Sequence, residues 1–293
     1  MASTSIIEPG VALQDGDATS ADALRARDER LRRRDRTLRI VVPIAVIALL
    51  FIVWEALVRI NNVPHYIIPA PSLILSTLFE NWGSLSSALW FTVKLTLLAL
   101  LAAIVGGVLL AIAFALFKWV EIGLFPIAVI LQVTPVIAIA PLILIYVSST
   151  TAALLLCAWI VAFFPILSNT VIGLKSADSN LRDLFQLYKA SPWQTFRYLL
   201  APSALPYFMA GLKIAGGLSL IGAVVAEFTA GTAGRETGLA SRILESSFRT
   251  EIPMMFAALL LVSLLGIAIF LVFAALSRMV LGHWHESEMR RER

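Results

Sequence analysis

The side chains that could do covalent or metal chemistry are few and scattered. The one cysteine, Cys157, lies inside an apolar run, where it reads as a small buried hydrophobe rather than a nucleophile. The histidines are His65, His283 and His285. The last two could offer a metal two ligands across Trp284, but no third stands near, and a closed site takes four. No Gly-x-x-x-x-Gly-Lys-Ser/Thr run occurs, so nothing here cradles ATP phosphates in that way. No Ser-His-Asp set or carboxylate pair within the apolar runs resembles a catalytic constellation. The polar residues that remain interrupt long apolar stretches: Gln132, Thr134, Pro135, Glu227, and the segment Leu187–Pro206. Their chemistry is non-covalent, so we expect no cofactor and no metal in this chain.

The apolar stretches must position these groups. Hydrophobic residues make up 59% of the 293, charged residues 14%, and the mean hydropathy is +0.87. Soluble domains carry about 25% charged residues, so a solvent-facing bundle would lack polar cover. Six runs are long enough to cross a bilayer, at residues 40–58, 89–117, 122–147, 150–174, 204–230 and 253–280. A crossing needs about 20 apolar residues, and its backbone must hydrogen-bond within the segment. The fold class is therefore an all-α membrane protein with six transmembrane helices. No cleavable signal peptide is expected, because the first apolar run follows 39 polar residues.

Lys and Arg placement sets the orientation. With six crossings, seventeen of them fall on one side and four on the other, with Lys94 and Lys213 inside spans. Both termini are therefore expected in the cytoplasm. Residues 1–39 read as a polar, disordered start followed by a basic helix held near anionic lipid, and residues 281–293 as a cytoplasmic tail. The net charge of +4 then needs no nucleic-acid partner.

The cytoplasmic loop 175–203 is not a bare linker. Leu184, Leu187 and Tyr188, then Phe196, Leu199 and Leu200, recur at helical spacing. Ser191-Pro192 reads as an N-cap with proline at the first helical position. The pattern predicts two short helices with a break near Lys189–Ser191. Either the pair lies on lipid and joins two spans, or it docks a soluble partner. Pro202 and Pro206 are expected to end the second helix.

Elsewhere the residues suggest a path and a lid. Gln132, Thr134, Pro135 and Pro141 interrupt the third run, and freed backbone carbonyls are tolerated in a membrane only against protein or a cavity; they read as lining a pathway. Gly211, Ala215, Ser219 and Ala223 form a small-residue stripe on the fifth run, as Ala103, Gly107 and Ala111 do on the second, and such stripes pack helices closely. The first of these stripes continues to Glu227, which either lines the pathway or pairs with a cation such as Lys94. Lys213 reads as a snorkelling or paired cation. In the outer loop 231–252, Arg235, Arg242 and Arg249 recur every seven residues beside Leu239, Ile243, Leu244 and Phe248, as in a short amphipathic helix.

From Tyr66 to Glu286 the chain resembles the inner-membrane permease subunits of binding-protein-dependent ABC importers, above all the nitrate, sulfonate and taurine branch. The likeness rests on "ASPWQTFRYLLAPSALPYFMAGLKIAGG", "LQVTPVIAIAPLILIYV", "GAVVAEFTAG" and the tail "WHESE". The family's coupling loop aligns on Asp183-Leu184-Phe185, Lys189 and Leu199-Leu200-Ala201-Pro202, with Lys189 where the family places a glycine. The resemblance implies a type I importer permease fold in a bacterial inner membrane and no catalysis in this chain. It assigns Asp183, Leu187, Tyr188, Lys189, Ala190, Ser191, Pro192, Trp193 and Phe196 to contact with an ATPase. Gln132, Thr134, Pro135, Ser219, Ala223 and Glu227 would serve the pathway, and Arg235, Arg242 and Arg249 an outer gate facing a solute-binding protein. Implied partners are a second permease copy and two cytoplasmic subunits that bind MgATP. Implied substrates are nitrate, sulfonates or taurine, or alternatively vitamin precursors such as pyrimidines. A membrane enzyme or sensor without an ATPase is the rival from another class. Reporter fusions check the orientation: Ser179 should read cytoplasmic and Ala240 external, and an external signal at Ser179 would overturn the loop's assignment.

Overall fold

The computed structural model describes residues 38, 41–231 and 237–282. The basic N-terminal segment, Arg235, His283, His285 and the tail lie outside these residues. The chain divides into two units at Asn62/Val63.

The first unit contains α1, Val41–Ile60, 20 residues that are mostly apolar. At 1.5 Å per residue it spans about 30 Å, one bilayer core. Near its end Arg59 pairs with Glu55 one turn earlier, at 2.5 Å.

The second unit contains α2 (Pro71–Glu80), α3 (Trp82–Leu116), α4 (Lys118–Val133), α5 (Val136–Tyr146), α6 (Thr150–Lys175), α7 (Ser179–Leu187), α8 (Pro192–Thr195), a π-helical turn at Phe196–Leu200, α9 (Ala201–Ala230), α10 (Leu239–Phe248) and α11 (Ile252–Leu281). No strand occurs among the described residues. α6 and α9 form the central pair, with α3 laid against both. Glycines set their separation. A Cβ on Gly211 would sit 2.8 Å from the Pro165 carbonyl oxygen, and one on Gly222 would sit 2.9 Å from the Ala158 Cα. The small-residue stripes on α3 and α9 are buried, as packing requires.

Two boundaries depart from the sequence reading. The third run is not one straight span: α4 and α5 meet at 103°. Pro135 has no N–H to donate back to Leu131, and its ring disfavours helical backbone at Thr134, which is extended at φ −73°, ψ 124°. Conversely, Pro202 and Pro206 do not end a helix. Pro192–Ala230 runs on for 39 residues. Just before Pro202 the register widens, and the Ala201 N–H bonds five residues back to the Phe196 carbonyl.

The loop between α6 and α9 is built by caps. Asp178 Oδ1 accepts from the Asn180 and Leu181 N–H groups at 2.7 and 3.3 Å and starts α7. Arg182 donates to the Leu174 carbonyl at 2.8 Å, tying α7 to the end of α6. α7 then closes with paired bonds, Lys189 N–H to Gln186 O and Ala190 N–H to Phe185 O, both 2.9 Å. That closure needs a left-handed residue, usually glycine, and Lys189 supplies it at φ +51°. Lys189→Gly removes about 1 kcal/mol of left-handed strain, so hydrogen exchange at the Lys189 and Ala190 amides should slow roughly fivefold. Lys189→Val should speed it, since a β-branched side chain resists that conformation.

Candidate functional site

Three places on the second unit concentrate polar or unpartnered groups. The first is the α7–α8 pair. Ser191 and Gln194 form a reciprocal capping box, the Gln194 N–H donating to Ser191 Oγ at 3.2 Å and the Ser191 N–H to Gln194 Oε1 at 2.7 Å. A cap of this kind contributes about 1 kcal/mol and fixes the direction in which Pro192 enters the long helix. Leu187 and Tyr188 are each 78% exposed and Trp193 is 65% exposed. Leu184 and Asp183 are exposed beside them, and Ala190 is half-buried at the turn. Phe196 turns inward instead. It packs on the core and stacks on Trp193, ring centroids 5.8 Å apart. The result is a rigid pair of short helices with apolar tips directed away from the bundle.

The second place is the break between α4 and α5. A cavity of about 470 Å³ opens there, lined by Gln132, Thr134 and Val136 on one side and by Val161, Pro165, Leu218 and Ile221 on the other. Thr134 Oγ1 donates to the Ile130 carbonyl at 2.7 Å. At the break the last carbonyls of α4 and the first N–H groups of α5 lose their helical partners. No charged side chain lines this cavity.

The third is the far end of α9. Glu227 is completely buried. Thr92 Oγ1, on α3, donates to Glu227 Oε1 at 2.8 Å, and the Ala240 N–H, in the first turn of α10, donates to Oε2 at 2.9 Å. The Thr92 hydroxyl in turn accepts the Leu239 N–H at 2.9 Å. A Cβ on Gly238 would overlap the Glu227 carboxylate. Glu227 thus caps a helix that is not its own, where an anion meets the positive end of the α10 dipole. Leaving such buried donors unpaired costs about 1–3 kcal/mol each.

These positions separate the residues read together from sequence. Gln132, Thr134 and Pro135 stand at the break. Ser219 and Ala223 do not line its cavity; both are fully buried, and the Ser219 hydroxyl donates to its own helix at Gly216 O, 2.9 Å. Glu227 does not line that cavity either, and its partners among the described residues include a hydroxyl and a backbone amide. On α10, Arg242 and Arg249 both pair with Glu245, at 3.0 and 2.7 Å. Leu239 is buried on this helix, but Phe248, read as part of the same apolar face, is 81% exposed. Thr92 and Gly238 were not singled out, because nothing local distinguishes a threonine whose partner is 135 residues away. Among the described residues no group of three His, Cys, Asp or Glu side chains could hold a metal.

Comparison with known proteins bears on the family and the fold. The chain is 33% identical over 82% of its length, and 88% of the relative's, to the riboflavin transport system permease protein RibX of Chloroflexus aurantiacus. It is 32% identical over 86% of its length, and 99% of the relative's, to the formylaminopyrimidine transport permease protein ThiX of Halalkalibacterium halodurans. With the nitrate import permease protein NrtB of a Synechocystis strain it shares 29% identity over 67% of its length and 74% of the relative's. A crystal structure of an amino acid ABC transporter with histidines has the same fold, with a TM-score of 0.56 at 15% identity over 74% of this chain and 98% of that one. Residues 103–282, which include Pro165 at the cavity, the α7–α8 pair and Glu227 but not Thr92, match the family model described as the binding-protein-dependent transport system inner membrane component, and the chain belongs to that family, the inner-membrane permease subunits of ABC importers.

Proposed function

We propose that this chain forms the translocation pathway for a small, uncharged, polar heterocycle, delivered by an extracytoplasmic binding protein and driven by two cytoplasmic ATPase subunits that hydrolyse MgATP. A second copy of the chain completes the pathway, and both termini face the cytoplasm. The observation that carries the ATPase contact is the exposed apolar tip of the α7–α8 pair. Leu187, Tyr188 and Trp193 project from a polar, capped segment, and clustered exposed hydrophobes rimmed by polar residues mark protein contacts. Ala190 leaves room for close approach at the turn. The solute-binding protein meets the opposite, α10-bearing end, where Arg235, Arg242 and Arg249 serve the gate.

The substrate class follows from the cavity at the α4–α5 break. No cation lines it, so a buried anion there would have only backbone N–H groups to offset its desolvation, whereas an uncharged solute needs no such offset. The Gln132 amide both donates and accepts, and the broken helix ends add carbonyls and N–H groups, the device by which membrane transporters hold polar solutes at mid-depth. Ile160, Val161, Leu218 and Ile221 would cover an apolar face. The relatives named for riboflavin and formylaminopyrimidine support this choice, beside others named for nitrate, sulfonates and taurine.

Two measurements test these readings. Ala190→Arg and Tyr188→Ala should leave the permease at normal yield in the membrane but lose its ATPase subunits on detergent pull-down. Overfilling a packed contact typically costs about 1–3 kcal/mol, enough to lower retention roughly five- to a hundredfold. Full retention in both would make the pair a lipid-surface linker. Separately, cells expressing the intact importer should take up radiolabelled riboflavin or formylaminopyrimidine and not nitrate. Gln132→Leu should reduce that uptake about tenfold, as loss of a hydrogen bond worth about 1–1.5 kcal/mol does. Nitrate uptake instead would establish the anion reading.

A further inference from the structure

We propose that Glu227 is a positioning residue that makes the outer helix α10 move with α9, so that displacement of the α7–α8 pair is delivered to the opposite end of the protein through one carboxylate. The inference rests on the importer reading above and adds the part that links its two ends. Pro192–Ala230 is unbroken over 39 residues, a rod of about 58 Å at 1.5 Å per residue. Its first turn is fixed by the Ser191–Gln194 capping box, beside the exposed tips of the pair. Its last turns carry Glu227, which holds α10 by the Ala240 N–H and, through Thr92, by the Leu239 N–H. α10 follows α9 in the chain, and the carboxylate fixes how its first turn sits at the end of α9. It does so with both oxygens engaged and with no space at Gly238 for a side chain. The bonds reach α10 at its first two residues, Leu239 and Ala240, so they act at its pivot rather than along its length.

The same junction includes α3. Thr92 sits between the carboxylate and the Leu239 N–H, so α10 can follow α9 only while α3 keeps step at that end. Both oxygens of this carboxylate accept from helices other than its own, so it ties three elements together at one point.

The test uses the permease with its ATPase subunits in detergent or nanodiscs. A maleimide probe at Phe248→Cys, an exposed site on α10, is read without nucleotide and after trapping with MgATP and vanadate. Cys157 is buried and should stay unlabelled. The unaltered junction should show a trapping-dependent change in labelling. Glu227→Ala should lose that change while the ATPase subunits still co-purify. Glu227→Gln should keep part of it, because the amide can accept from Ala240 and donate to Thr92. Thr92→Val, which keeps volume and removes the hydroxyl, should weaken it and remains informative if Glu227→Ala is poorly produced. A full trapping-dependent change in both Glu227→Ala and Thr92→Val would overturn the proposal. Hydrogen exchange at Leu239 and Ala240 in the permease alone separates this failure from failure of the importer reading. There the two amides should be protected and should lose protection in Glu227→Ala, whether or not an ATPase binds; unprotected amides in the unaltered chain would also overturn the proposal.

Discussion

The second unit depends on how closely α6 and α9 approach. In lipid, burying apolar side chains gains little, because the surroundings are equally apolar, so helices associate by packing density and by interhelical hydrogen bonds. Gly211 and Gly222 place the α9 backbone directly on Pro165 and Ala158 of α6. With that seam closed, α3 can lie across both helices, Gly107 against Ile166. Thr92 is then carried to the end of α9, where it meets Glu227. The break in the third run also needs this seam, since the wall opposite Gln132 is made of residues from both α6 and α9.

Much of this was legible in the sequence, for a simple reason. A membrane demands long apolar helices, and length and hydropathy reveal them without knowledge of tertiary contacts. The small-residue stripes were legible too, because close approach requires small side chains at helical spacing. The bend at Thr134–Pro135 was not. Pro126, Pro141, Pro165 and Pro206 all lie inside helices in the structure, so proline alone does not announce a break, and 26 residues fit a single crossing. α2 was missed because ten residues with only Ile74 and Leu78 buried leave almost no periodic signal.

The site residues divide along the same line. The N-cap was readable at Ser191-Pro192 because caps are local. The turn at Lys189 was readable from the break between two helical patterns, but its left-handed backbone was not, since a lysine carries no intrinsic preference for that conformation. The structure shows the turn forming around it, completed by two bonds from α7. Ser219 and Ala223 are buried away from the cavity at the break, and a stripe that faces a cavity and a stripe that faces a helix look identical in sequence.

The buried polar groups distinguish packing from linkage. Thr170 donates to Ile166 O and Ser219 to Gly216 O, each within its own helix. Such hydroxyls satisfy themselves locally, and they would be content in any helix arrangement that kept them dry. Thr92 is different: it donates to one helix and accepts from another. An arrangement that separated α3, α9 and α10 would leave a buried carboxylate and two amide donors unpaired together, so the three elements are favoured to shift as a set. A transporter needs joints that hold while the rest moves. Self-satisfied hydroxyls along the seams allow sliding, and the shared carboxylate at one end resists it.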